Sequence, residues 1–216
     1  MSENILQTPI SVMEAAATGA ISGYAVLQVD LRKLGLDSCT LHDVTFRKVA
    51  LEAVPAIRST LREVRFEASR LRGLRLEESL CTATRIINCQ AHELNFSRAC
   101  VVGLQVFDTP LSNASFANAR LERCRFQSAE LYGADFSGSL LVHTQFSDPR
   151  MENANLNRAD FERAILVDVD LRGANLHGAN FKDALLVRVD LRDANMVRAD
   201  LEGATLIACD TTGAVT

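Results

Sequence analysis

The sequence predicts an all-β solenoid, in which short strands wind into a four-sided coil, from three periodic features. Residues whose number ends in 1 or 6 are large and apolar, and 28 of the 36 such residues from Leu31 to Leu206 are Leu or Phe. We call these the core positions. The residue two places earlier, the small position, is Ala, Val, Ser, Thr or Cys in 31 of the 36 cases. Nine of the ten phenylalanines lie at core positions, and they recur at intervals of twenty residues.

The first two features require a chain that turns a corner once in every five residues. Side chains two residues apart point to the same side of an extended strand, so a small position and its core position both face inward. The next inward residue lies three places further on, where a straight strand would direct it outward. An α-helix does not fit, because five residues advance its face by about 140°. The chain is therefore predicted to be a coil of short β sides.

The spacing of the phenylalanines gives the number of sides in one coil. All nine core phenylalanines have a phenylalanine partner twenty residues away, whereas only one pair lies fifteen residues apart. Twenty residues make four sides, and 36 pentads make about nine coils. At about 4.8 Å per coil the rod would be roughly 43 Å long. The predicted stacks are Phe46 with Phe66, Phe96 with Phe116 and Phe136, Phe126 with Phe146, and Phe161 with Phe181.

Both ends are predicted to depart from the repeat. Residues 1–25 are expected to cap the first coil, with a short helix over about 12–18 and a capping box that begins at Ser11. The β-helix itself is expected over residues 26–210, followed by a C-terminal tail at 211–216.

The core is predicted to be least regular between residues 53 and 92. Ala56, Cys81 and Ala91 stand at core positions in this stretch and are smaller than Leu or Phe. Underfilled positions weaken a packed core. We therefore expect any irregular coil to lie there.

Several pentads share one pattern that resembles a known family. The clearest are Ala-Asn-Leu-Asn-Arg at 154–158, Ala-Asp-Phe-Glu-Arg at 159–163 and Ala-Asp-Leu-Glu-Gly at 199–203. They resemble the pentapeptide-repeat family, whose pattern is A(D/N)LXX, and the resemblance covers about residues 26–210. It implies a right-handed quadrilateral β-helix. The chain is distantly similar to the quinolone-resistance and MfpA-type members, bacterial proteins that bind DNA gyrase and topoisomerase IV by resembling duplex DNA.

The composition favours an interaction surface over an enzyme. The chain carries 23 basic and 27 acidic residues, a net charge of −4, so it lacks the basic footprint of a protein that binds nucleic acid directly. Its four histidines are scattered without metal-ligand spacing, and no nucleotide-binding or nucleophile motif occurs. We expect no catalytic residue, no metal and no cofactor.

Targeting signals and cysteine usage predict a cytoplasmic protein. No charged segment followed by an apolar run marks a signal peptide, and no apolar stretch approaches the ~20 residues that a membrane span needs. The six cysteines form no CxxC pair, which is typical of reduced, buried thiols. No membrane partner is expected.

Apolar residues at outward positions mark the predicted interaction patch, because an exposed sheet is otherwise polar. Twenty-residue spacing places five of them on one wall near the C-terminal end, and two more on a neighbouring wall. Strand propensity alone also favours such residues on a sheet. The patch residues are Ile165, Val167, Leu185, Val187 and Ile207, with Leu140 and Val142.

These observations favour a non-enzymatic, rigid scaffold that binds a protein partner or self-associates through a flat wall. The alternative, implied by the resemblance, is a DNA mimic that binds gyrase or topoisomerase IV and protects against topoisomerase poisons. A homodimer is also expected, with the C-terminal coils as a possible contact, because the last coil (about 191–210) has no cap in the sequence and would present open backbone edges.

Overall fold

Residues 4–216 are described by a computed structural model, in which the backbone winds into a right-handed quadrilateral β-helix. One side, which we call wall B, is a parallel sheet of eleven strands, each paired with the strand one coil away. Its strands are β1 (Asn4–Leu6), β3 (Tyr24–Leu27), β5 (Thr45–Arg47), β7 (Arg65–Glu67), β9 (Arg85–Ile87), β11 (Gln105–Phe107), β13 (Arg125–Gln127), β14 (Gln145–Ser147), β15 (Ile165–Val167), β16 (Leu185–Val187) and β17 (Thr205–Ile207).

The preceding side of each coil, wall A, begins as a six-stranded parallel sheet and ends as single bridges. Beyond the last strand the ladder continues through isolated bridges at Leu140, Asp160, Asn180 and Asp200. The strands of wall A are β2 (Ala20–Ser22), β4 (Thr40–His42), β6 (Thr60–Arg62), β8 (Leu80–Thr82), β10 (Cys100–Val102) and β12 (Arg120–Glu122).

The other two sides, walls C and D, are columns of single bridges, such as Arg150 to Asp170 on wall C and Asn155 to Asn175 on wall D. Each side ends in a corner residue two places after the core position, and apart from Lys33 these residues have positive φ, for example 54° at Arg58. The N–H of a corner residue donates to a carbonyl one coil further on, as Arg58 does to Glu77 at 2.9 Å. We call this the corner bond. It links successive coils at the point where the chain changes direction.

The core confirms the twenty-residue period. The rings of Phe96, Phe116 and Phe136 stack on one another, with centroids 5.5 and 4.7 Å apart and planes within 12° of parallel. Phe126 stacks on Phe146 in a second pile and meets Phe136 edge-on at 6.0 Å. Such offset and edge contacts add about 0.5–1.5 kcal/mol per pair beyond the area buried. The centre of the rod is therefore filled by side chains.

The ends differ from the predicted boundaries. Wall B starts at β1, so the chain makes about ten turns instead of nine, because the first turn contains a helix, α1 (Pro9–Ala17), in place of pentads. The N-cap of α1 is Thr8, whose Oγ1 accepts from the N–H of Ser11 at 3.1 Å, so the predicted start at Ser11 is wrong. The predicted 211–216 tail still belongs to the ladder, since Val215 bridges Asn195. Residues 1–3 of the predicted cap lie outside the described residues.

The prediction of an irregular stretch between 53 and 92 is wrong. Every corner bond in it is present, including Gly73 to His92 and Ala83 to Val102, both at 2.9 Å. The three small core residues, Ala56, Cys81 and Ala91, are themselves buried.

Candidate interaction surfaces

Five of the seven predicted patch residues come together on wall B. Ile165 lies beside Leu185, and Val167, Val187 and Ile207 follow one another in register. The exposed fractions of Ile165 and Ile207 are 37% and 50%, and the other three are half-buried. We call these five residues the apolar stripe. They form two short parallel columns on a flat sheet.

The structure does not bring the other two patch residues into the stripe. Leu140 and Val142 lie on wall A, where Leu140 bridges Arg120 and Asp160. A corner separates them from Ile165, so they face a different direction. Leu140 is 42% exposed and Val142 is half-buried.

Charged residues bound the stripe at the corner between walls B and C. Arg188 donates from Nε to Asp168 Oδ1 at 2.5 Å and from Nη2 to Asp168 Oδ2 at 2.6 Å. Hydrogen bonds from Arg188 hold the pKa of Asp168 below its ordinary value. This bidentate pair gives the stripe a polar rim.

Wall B also carries a column of arginines that sequence reasoning missed. Arg65 and Arg85 are neighbours in register, and Gln105 separates Arg85 from Arg125. Within the described part of the chain, none of the three has a carboxylate within 4.0 Å. Arg125 donates only to the amide oxygen of Gln145, at 3.0 and 3.3 Å. The signal was available as basic residues at twenty-residue spacing, and we call these three residues the arginine column.

Elsewhere many of the charges form ion pairs. On wall C, the Arg172 guanidinium contacts Asp170 at 2.6 Å, Glu152 at 3.3 Å and Asp190 at 3.7 Å. Hydrogen bonding to Asp170 raises the pKa of Arg172. The acidic residues of wall C are therefore interleaved with guanidinium groups.

The six cysteines are free thiols that lie buried or half-buried in the rod. Burial raises the pKa of Cys89 to about 11 and that of Cys124 to about 12, which suppresses the nucleophilic thiolate. Residues 4–216 contain no cluster of His, Cys, Asp and Glu that could hold a metal ion. None of the helical segments described has the length and apolar character needed to cross a bilayer.

Comparison with known proteins agrees with this architecture. The model of pentapeptide repeats matches eight copies, over residues 108–141, 139–178 and 174–213. HetL, a pentapeptide repeat protein involved in heterocyst differentiation regulation in Nostoc sp. strain PCC 7120, is 23% identical, and the match covers 95% of each chain with a TM-score of 0.52. Full-length QnrB1, a plasmid-mediated fluoroquinolone resistance protein, is 13% identical over 88% of this chain and 92% of its own, with a TM-score of 0.48. No curated protein matches the sequence. Residues 108–213 thus carry pentapeptide repeats, and the coil as a whole is similar to that of solved pentapeptide-repeat proteins.

Proposed function

We propose that this chain is a non-enzymatic, rigid scaffold that binds another protein through wall B, with the apolar stripe at the centre of the contact. The observation that carries the proposal is the alignment of five apolar side chains in register on a flat sheet. Contiguous exposed apolar area beside a polar rim is typical of protein-binding surfaces.

The size of the stripe supports a partner that covers more of the wall. The stripe spans three strands, or about 14 Å along the rod. A stable interface of ordinary size buries roughly 800 Å² on each partner. The partner must therefore reach along wall B, past Gln145, to the arginine column.

The arginine column indicates the charge of that partner. Arg65, Arg85 and Arg125 are exposed and have no carboxylate partner among the described residues. Two copies of wall B packed face to face in parallel would place these arginines opposite one another. An antiparallel pair with full overlap would place Arg85 opposite Arg125. Like charges across an interface are unfavourable, so we propose a different protein, with acidic groups beside an apolar centre.

Replacing Val167 and Val187 by Asp tests the role of the stripe. Both side chains are half-buried in one column, so two carboxylates there should remove the apolar centre and abolish binding. Proteins bound to the wild type and to the variant are compared after cross-linking in cell extract, followed by binding measurements with the purified partner. Circular dichroism should show an unchanged sheet.

The matched control replaces Gln127 and Ser147 by Asp. These residues lie in the same column of wall B, one and two coils before the stripe, and the change in charge is similar. The control should keep the partner with only a modest loss. Equal binding by the wild type and both variants would remove the stripe from the proposal.

A homodimer through the C-terminal coils is a separate proposal. Leu201, Leu206 and Val215 in the last described coil are 36%, 40% and 57% exposed, although the first two occupy core positions. Sedimentation of the wild type and of Leu206→Arg tests it, since a charge at that position should prevent coils from stacking.

The gyrase alternative stays a prediction. The paired carboxylates of wall C do not favour it, because a DNA mimic needs a face of uncompensated negative charge. A supercoiling assay with purified gyrase, with and without a fluoroquinolone, tests it directly.

A further inference from the structure

Two successive corner bonds are missing where wall A meets wall B. The N–H of Arg123 makes no bond to the carbonyl of Val142, and the N–H of His143 makes none to Glu162. The corners on either side are intact, as Gly103 donates to Glu122 at 2.9 Å and Arg163 to Lys182 at 3.0 Å. Of the other described corner residues that have a further coil after them, only Lys33 lacks the corner bond. The two missing bonds at Arg123 and His143 are therefore the longest interruption among the corner bonds of the described residues.

The break coincides with a change of turn on wall A. From residue 141 onward the corner is closed by a bond within the pentad, from Thr144 N–H to Leu141 O at 3.0 Å, which the wall A corners before it lack. Thr144 also occupies a small position that is Ala in the next three coils. Its hydroxyl donates to Leu121 O at 3.1 Å, one coil back. A side chain thus replaces the backbone link at this coil.

Two shallow depressions open beside the break. One lies on wall A and has a volume of about 310 Å³, and the other lies on wall B and has a volume of about 390 Å³. Arg123 and His143 line both, and we call the two depressions together the corner site. Leu140 and Val142 line the first, and Arg125 and Gln145 line the second.

The corner site combines an apolar floor with an excess of cationic donors. The Glu122 carboxylate is shared between two guanidiniums, Arg120 at 3.4 Å and Arg123 at 3.6 Å. Arg125 has only the Gln145 amide. The other carboxylate at the site, Asp160, accepts at Oδ1 from Glu162 N–H at 3.0 Å and from Asn180 Nδ2 at 2.9 Å, so three guanidiniums face two carboxylates. The two unbonded N–H groups at Arg123 and His143 add further donors.

We propose that the corner site binds an acidic peptide segment. An apolar side chain of the segment lies over Leu140 and Val142, and a neighbouring carboxylate lies between Arg123 and Arg125. Carboxylate is the group that a planar guanidinium recognises best in proteins, through paired, charge-assisted hydrogen bonds. The site begins one coil before the apolar stripe, since Gln145 lies in register with Ile165, and it opens at the corner of wall B opposite the Asp168–Arg188 rim. It therefore deepens the proposed function, on which it rests, by placing acidic groups of the partner at this corner.

Titration of the purified protein with a blocked pentapeptide, acetyl-Glu-Leu-Glu-Leu-Glu-amide carrying a fluorophore, tests the proposal by anisotropy. We expect binding that weakens with salt, and about tenfold weaker binding when Gln replaces every Glu, as for the loss of charge-assisted hydrogen bonds. A peptide with Gly in place of Leu should also lose most of its affinity. Inorganic phosphate should compete only weakly, since it cannot use the apolar floor.

Leu140→Ser and Arg125→Gln should each weaken the peptide by about tenfold. Leu80→Ser and Arg85→Gln are matched controls. Leu80 is 43% exposed in the same column of wall A as Leu140, which is 42% exposed, and Arg85 stands in the same column of wall B as Arg125. Equal losses in controls and test variants would overturn the proposal, as would equal affinity for the Glu and Gln peptides. Phosphate that competes as strongly as the peptide would reduce the site to a general anion site and also overturn it.

Discussion

The two halves of the rod share one coil but fill its second inward column differently. In one column, the N-terminal half has Val54, Leu74 and Leu94, whereas the C-terminal half has Ala154, Ala174 and Ala194. All six are buried, and the twenty-residue register is unbroken from one half to the other. The alternation of inward residues therefore sets the fold, and the alanine of the family pattern is one way to satisfy it. This explains why the family model matches only residues 108–213.

The halves also satisfy their backbone differently. In the C-terminal half an Asn or Asp just before many core positions accepts from the N–H two residues on, as Asn175 Oδ1 does from His177 at 3.3 Å. Asn175 Nδ2 also donates to Asn155 Oδ1 one coil back, at 3.3 Å. The equivalent residue in the N-terminal half is Arg75, which pairs with Glu77 at 3.2 Å. In this column the second half thus has amide ladders that bind the backbone, where the first half has an ion pair between side chains.

The largest difference is expected from removing single aromatic rings. Phe136→Ala should lose about 3–5 kcal/mol of the free energy of unfolding, because the ring contacts Phe116, Phe126 and Phe146. Phe46→Ala should lose less, since its ring stacks only on Phe66, at 5.3 Å. Urea unfolding gives both values, with the exposed Tyr132→Ala as a control. A smaller loss for Phe136→Ala would contradict the greater packing of the second half.

Exchanging the inward residues of the two halves should be costly in both directions. Leu74→Ala should lose about 2–5 kcal/mol by leaving a cavity. Ala174→Leu should lose about 1–3 kcal/mol by overpacking, because Ala174 is fully buried in the same column. Thermal unfolding of the two variants checks this. An unchanged stability of Ala174→Leu would show that the core has room for a larger side chain there. Close packing would then not explain the alanines of the second half.

The amide ladder should matter less than the core but more than the ion pairs. Asn175→Ala should cost about 1 kcal/mol, because the His177 N–H and the Asn155 side chain lose a half-buried partner. Arg75→Ala, in the same column, should cost less than about 1 kcal/mol, since its guanidinium is about half-exposed and Glu77 Oε1 keeps a donor in Asn95 Nδ2 at 3.1 Å. Hydrogen exchange of the flanking coils would separate the two effects. Equal losses of unfolding free energy in the two variants would contradict a larger contribution of the amide ladder to stability.

Acid should destabilise the second half slightly more than the first. Hydrogen bonds from Arg188 lower the pKa of Asp168, and those from Arg192 lower the pKa of Asp190, whereas in the first half the comparable shift is at Asp30, to about 2. A lowered folded-state pKa adds stability above the ordinary aspartate pKa of about 3.9. That stability is lost as the pH falls from about 4 through the lowered folded-state values. The urea midpoint of Asp168→Asn/Asp190→Asn should therefore fall less than that of the wild type between pH 7 and pH 3.

Sequence periodicity was sufficient to predict the coil, its four sides and the phenylalanine stacks, because each depends on inward residues at fixed spacing. The change of turn on wall A was not predictable. On wall C the corner is closed by a bond within the pentad both at Val54, a larger residue, and at Ala154, a smaller one. The size of the residue at the small position therefore does not determine the type of turn. The corner site follows from that change and was missed for the same reason. Which arginines lack a partner was also not readable from their sequence neighbours alone. Arg70 pairs with Glu52 in the coil before it, at 2.6 Å, whereas Arg85 has no carboxylate within 4.0 Å among the described residues.

The period of five inside a coil of twenty has an evolutionary consequence. Loss of one pentad, such as residues 154–158, would keep every later core position inward and rotate the rest of the rod by a quarter turn. Ile165 and Val167 would then follow directly after Leu140 and Val142 on wall A. A lineage can thus recombine its surfaces in single steps while the interior stays intact.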